Sequence, residues 1–149
     1  MAPKFHFISG LPRSGSTLLS ALLKQNPRFH SGVTSPVAML CGSMQRRMSG
    51  GEFSVFFDNS RRKNMLRGVF SSYYAEATAA QVVFDTNRAW TGRAALLGDL
   101  FPESRIICCV RDLGWVIDSV ERMLDKNPLQ LSRIMGFKPG TQYMVAPNY

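Results

Sequence analysis

Phe5-His6-Phe7-Ile8 is a short apolar run of strand type that stops at Ser9-Gly10, and Ser16 to Lys24 then reads as a helix closed by Asn26-Pro27. Arg28 to Pro36 reads as loop, punctuated by Gly32 and Pro36, before a short helix over Val37 to Met48 that Ser49-Gly50-Gly51 breaks. From Phe53 to Ala80 the residues Val55, Phe56, Met65, Leu66, Val69, Phe70 and Tyr73 sit largely at three and four spacings, which predicts one or two amphipathic helices. Gln81 to Asp85 is a second strand of buried type, and Thr91 to Leu100 a helix ending at Phe101-Pro102. Arg105 to Val110 is the third strand, followed by a helix over Leu113 to Lys126 with Asp112 placed to cap it. A further helical turn is expected after Pro128, and Gly136 to Tyr149 reads as irregular.

Strand followed by helix, three times over, defines an α/β fold with a parallel sheet, flanking helices and right-handed crossovers. Such sheets bind ligands beyond the carboxyl ends of their strands, where Ser9, Thr86 and Arg111 fall. At 149 residues the chain has the length of a single domain, residues 1–149, and 45% hydrophobic with 19% charged residues is the composition of a folded one. Its longest apolar runs, Ile106 to Val110 and Val37 to Cys41, are far shorter than the roughly 20 residues of a membrane span. The N-terminus lacks a secretory pattern, and three cysteines, two of them adjacent, argue against a disulfide framework, so a cytoplasmic location is expected. Cys108-Cys109 also lacks the spacing of a zinc site, and no metal is expected. The net charge of +8 points to an anionic partner but does not choose among nucleotide, nucleic acid, acidic lipid and sulfated or phosphorylated substrates.

The choice is made by Gly10-Leu11-Pro12-Arg13-Ser14-Gly15-Ser16-Thr17. Two glycines five apart, after a strand and before a helix, have the spacing of a phosphate-binding P-loop, which makes the fold of P-loop nucleotide-binding type. Ser16 stands where nucleotide-hydrolysing versions carry Lys. Backbone N–H groups and the helix N-terminus still suit a 5′-phosphate, with hydroxyls from Ser16 and Thr17 and the cation of Arg13 inside the loop. Without the lysine that reaches the β- and γ-phosphates, ATP or GTP hydrolysis is disfavoured.

This loop resembles the 5′-phosphosulfate-binding loop of sulfotransferases, especially the Arg-containing form in carbohydrate and tyrosylprotein sulfotransferases and their bacterial relatives. In that family a later strand ends in Arg and a Ser follows eight residues on. Here Cys109-Val110-Arg111-Asp112 ends the third strand, and Ser119 lies eight residues after Arg111. The resemblance implies a sulfotransferase using 3′-phosphoadenosine 5′-phosphosulfate without a metal. It places Pro12, Arg13, Ser14, Gly15, Ser16 and Thr17 around the 5′-phosphate, Arg111 and Ser119 on the 3′-phosphate, and makes Arg13 catalytic, stabilising the departing phosphate. The partners are then the sulfate-donor nucleotide and an acceptor hydroxyl or amine, with nucleic acid disfavoured. Family members usually continue well beyond this length, so the resemblance also implies an N-terminal portion.

Departures from the family pattern are specific. Leu113 stands where many relatives have Pro, and Thr86-Asn87-Arg88 where many have a Lys whose charge Arg88 is available to supply. The stretch Ser31 to Pro36 lacks the catalytic Glu of the tyrosylprotein branch. His30, His6 and Asp85 are the available bases, but they read first as a surface-loop histidine, a packed strand histidine and a cap or turn carboxylate. Arg61-Arg62-Lys63 reads as a solvated helix face, and Trp90 and Trp115 as packing residues before stacking ones. The competing functions are a P-loop kinase of a small molecule and a noncatalytic nucleotide- or nucleic-acid-binding module.

Overall fold

The computed structural model describes residues 3–77 and 82–126. Four parallel strands, β1 (Lys4–Gly10), β2 (Phe29–Ser31), β3 (Val82–Thr86) and β4 (Ile106–Cys109), form one sheet in the order β2-β3-β1-β4. The helices are α1 (Ser16–Lys24), α2 (Val37–Ser49), α3 (Asn59–Tyr73), α4 (Ala94–Leu100) and α5 (Leu113–Lys126), with 3-10 turns at Glu52–Phe56 and Arg88–Arg93. The parallel α/β architecture is as the sequence predicts, α1 has the predicted bounds, and α5 starts at Leu113 as predicted. Asp112 accepts from the Trp115 N–H at the start of α5 (3.3 Å). Gln81, the turn after Pro128 and residues 136–149 lie outside the described residues.

The sequence reading misses β2, which falls inside the expected loop. Three residues are too short for a period-2 pattern, and this strand exists through pairing: Phe29, His30 and Ser31 lie opposite Val82, Val83 and Phe84. Its end is pinned by Ser20 of α1, whose hydroxyl meets Ser31 Oγ (2.7 Å) and donates to the Gly32 carbonyl (2.6 Å). The helix expected from Thr91 starts later, at Ala94, because Asn87 accepts from the Ala89 N–H (2.9 Å) and begins a 3-10 turn there instead.

Strand alternation sends neighbouring side chains to opposite faces of the sheet. Phe7 points to Phe70 of α3 and Trp90, with ring centroids 5.9 and 5.4 Å away, and this face carries the core with Val37, Cys41, Leu66 and Leu97. Phe84 and Ser31 occupy the other face, where α1 lies.

Arg61-Arg62-Lys63 is not the free solvated face expected from sequence. Arg61 donates to the Phe56 carbonyl (2.6 Å), Arg62 to those of Met48 and Ser54 (3.3 and 3.4 Å), and Lys63 pairs with Asp99 (3.3 Å). Long cationic side chains here satisfy carbonyls that the ends of neighbouring turns leave open.

Burial gives two core groups raised pKa values. It pushes the Cys41 thiol up to about 11, against a lowering by Arg93 and with a smaller push from Asp85. It also raises the Tyr74 phenol, joined by the charge of Asp85 and the hydrogen bond to it. Both groups hold their protons more tightly folded than unfolded, so their contribution is complete below the unfolded pKa and lost as pH rises towards the folded one. Urea midpoints are therefore expected to fall above pH 9.0, the ordinary thiol value. The half-buried Cys109 thiol is raised by burial as well, then by Cys108, so the onset moves towards 10.0, the ordinary phenol value, only when Cys41→Ala is combined with Cys109→Ala. An onset that stays in place in that double variant would remove the thiols as its source.

Candidate functional site

β1 and β4 are neighbours in register, Gly10 lying opposite Cys109, so their carboxyl ends finish level. The approach is close: a Cβ on Gly10 would collide with the Cys109 carbonyl oxygen, and Gly10 also has φ 137°. Only glycine satisfies both conditions without displacing backbone.

The loop that follows turns on two more left-handed residues, Arg13 (φ 64°) and Gly15 (φ 101°). Arg13 is the sole non-glycine with positive φ among the described residues, a cost that surrounding contacts must hold in place. Ser14 sends both its N–H (3.2 Å) and its hydroxyl (2.6 Å) to the Leu11 carbonyl, so in this state it shapes the loop. Gly15 precedes α1 with no side-chain cap, and the first turn of α1 carries no acid. The first N–H groups of that helix therefore remain open to an anion, with the Ser16 and Thr17 hydroxyls beside them.

Arg13 reaches across to the segment after β4. Its Nε donates to Ser119 Oγ (2.9 Å), and Arg111 Nη1 donates to the Arg13 carbonyl oxygen (3.1 Å). Two stretches about a hundred residues apart are thus joined by two hydrogen bonds. Ser119 accepts from Arg13 and keeps its own proton for a further partner.

A cleft of about 350 Å³ opens over these contacts, lined by Arg13, Arg111, Ser119, Trp115, Asp118, Arg122, Met123 and Lys126. Its four cations face one carboxylate, Asp118, which is already paired with Arg122. Such a surplus in a partly enclosed site favours an anionic ligand with more than one charge. Trp115, 59% exposed, adds an aromatic face, whereas Trp90 is fully buried in the core. The sequence reading did not assign Trp115, Arg122 and Lys126 to the site, although the intervals of four, seven and four from Arg111 place them on one helical face.

The three possible bases do not line this cleft. Asp85 is fully buried and accepts from Ser35 Oγ, Tyr74 OH and Trp90 Nε1, each at 2.7 Å, which makes it a structural hub and not the cap or turn carboxylate expected. His6 is half-buried, its Nδ1 accepts from the Arg105 N–H (3.1 Å), and burial first, then Arg105 and Lys4, lower its pKa. His30 is exposed on the edge strand β2 with its ring against Tyr74. Arg88 is also exposed and outside the cleft lining, and its carbonyl accepts from Ser9 (3.0 Å). Among the described residues, no group of three or more His, Cys, Asp or Glu is placed to hold a metal, and no helix is long and apolar enough to cross a membrane.

A parallel α/β sheet with a glycine-turned loop after its first strand and a cationic cleft at the strand ends defines a domain suited to phosphate- or sulfate-bearing ligands. A model of the sulfotransferase family matches residues 6–135, and the chain belongs to that family. Family membership supports sulfuryl transfer as the general activity. No curated protein matches the chain.

Proposed function

We propose that the protein transfers a sulfonate group from 3′-phosphoadenosine 5′-phosphosulfate to an acceptor hydroxyl or amine. The loop Pro12 to Thr17 holds the 5′-phosphate, while Arg111 and Ser119 hold the 3′-phosphate. In the reaction the sulfur–oxygen bond to the 5′-phosphate breaks and a bond from sulfur to the acceptor atom forms, so negative charge grows on the departing phosphate. Arg13 is the cation that meets this charge, beside the open N–H groups at the start of α1. The acceptor proton leaves to a base, and His6, His30 and Asp85 lie outside the cleft lining.

The observation that carries this reading is the junction of Arg13, Arg111 and Ser119, which brings the two halves of the motif to one cleft. Family membership supplies the class of reaction. The absence of a Lys at Ser16 weighs against a nucleoside triphosphate as the group donor.

Calorimetric titration with adenosine 3′,5′-bisphosphate, adenosine 5′-monophosphate and ATP tests the donor assignment. The expected order places the bisphosphate at least tenfold tighter than the monophosphate, since a second phosphate gains charge-assisted hydrogen bonds. Equal affinities would reduce the loop to a general anion cradle, and tightest binding of ATP with turnover in Mg²⁺ would favour a kinase.

A further inference from the structure

We propose that the 3-10 turn Glu52–Phe56, with Arg46 and Arg47 beside it, docks the protein onto an anionic lipid surface. Phe53, Val55 and Phe56 are 63%, 80% and 62% exposed, and no residue of the turn is buried. Three large apolar side chains within four positions form a concentrated outward tip, unlike the single exposed apolar residues that ordinary surfaces carry.

The tip is firmly built. Gly51 enters it at φ 74°, Ser54 Oγ donates back to the Gly51 carbonyl (2.9 Å), and Arg61 and Arg62 donate to the carbonyls of Phe56 and Ser54. The backbone is held while the apolar side chains are left outside, so their exposure does not come from a frayed end.

The charges around the tip match an anionic surface. Residues 43–63 contain five basic residues and two acidic ones. One of the acids, Asp58, is taken up as the cap of α3, accepting from the Arg61 N–H (2.7 Å). Arg46 and Arg47 line a cleft of about 370 Å³ with Ser43, Gly50 and Phe53, which has room for a phosphate headgroup beside the Phe53 ring. Among the described residues the Arg46 guanidinium reaches only Ser43 Oγ (3.4 Å), and Arg47 has no ion pair.

A lipid surface fits this shape better than a folded partner. A stable protein interface needs about 800 Å² from each side, whereas shallow insertion needs only a few apolar side chains within a basic rim. The tip lies beyond the C-terminal end of α2, a 13-residue helix about 20 Å long that starts beside the loop after β2. The inference therefore stands apart from the donor assignment.

The test is flotation of the full chain with vesicles of phosphatidylcholine alone and of phosphatidylcholine with roughly 30 mol% phosphatidylserine, an anionic lipid whose negative surface potential attracts basic side chains. The expected result is binding only to the anionic vesicles. Phe53→Ser with Phe56→Ser should weaken it by about tenfold or more, and Arg46→Gln or Arg47→Gln by about fivefold each. All four side chains are exposed, and far-UV circular dichroism checks that the variants remain folded. Absence of wild-type binding would overturn the proposal, as would undiminished binding by the double Phe variant, which would leave only the overall charge as cause. A wild-type dimer that the Phe substitutions convert to monomer in sedimentation velocity would also overturn it, because a second copy would then cover the tip.

Discussion

Arg111→Ala is expected to bind adenosine 3′,5′-bisphosphate about ten- to a hundredfold more weakly while keeping its affinity for adenosine 5′-monophosphate. Hydrogen bonds to charged groups contribute about 1.5–3 kcal/mol each, which sets the range. The contrast between the ligands matters because Arg111 has a second task, donating to the Arg13 carbonyl (3.1 Å). If the substitution acted mainly by relaxing the loop, both ligands would lose affinity together, and a parallel loss would move Arg111 from ligand contact to loop support. Unchanged binding of both would remove it from the site. Arg111→Lys refines the test: it retains charge but not the planar fork, so the bisphosphate should recover only part of its advantage.

The parts of this site readable from sequence are those whose determinants are local. The strand-turn-helix from Phe5 to Lys24 and the helix that starts at Leu113 show themselves through apolar runs, glycines and caps, and the bounds of α1 and the start of α5 agree with the structure. Arg111 and Ser119 came from a family resemblance, since an Arg and a Ser eight residues apart carry little meaning alone. The reach of Arg13 to Ser119 spans 106 positions and depends on β1 and β4 being neighbours, which no local pattern encodes. For β2 and the basic run after Asp58, tertiary partners decide the outcome: Val82 to Phe84 in one case, open carbonyls and Asp99 in the other.

Asp85 shows the same limit most sharply. Its donors lie 50, 11 and 5 positions away, and together they bind the loop after β2, the end of α3 and the 3-10 turn after β3 to one buried carboxylate. Around it, Ser35 donates its N–H to the Thr86 carbonyl (3.1 Å), and Asn87 Nδ2 donates to the Ser35 carbonyl (2.9 Å). On the adjacent strand, Ser9 Oγ accepts from the Thr91 N–H (3.1 Å). The carboxyl end of the sheet is thus fastened beneath the loops that carry the site.

Asp85→Ala is therefore expected to destabilise the fold by about 3–5 kcal/mol, because it leaves two hydroxyls and an indole N–H buried without their acceptor and opens a small cavity. Urea denaturation should show this as a lower midpoint at nearly constant slope. Asp85→Asn separates the hydrogen bonds from the charge. The amide oxygen can still accept from Trp90, but its NH₂ must face the Ser35 and Tyr74 hydroxyls, which then have to turn and accept. Ser35 Oγ already accepts from the Val37 N–H (3.3 Å), so its capacity is limited. The Asn variant should lose about 1–2 kcal/mol, less than Ala because shape and one hydrogen bond survive. If Ala proved as stable as wild type, the cost of burying the carboxylate would equal what its three donors return, and Asp85 would have no net part in holding the site in place.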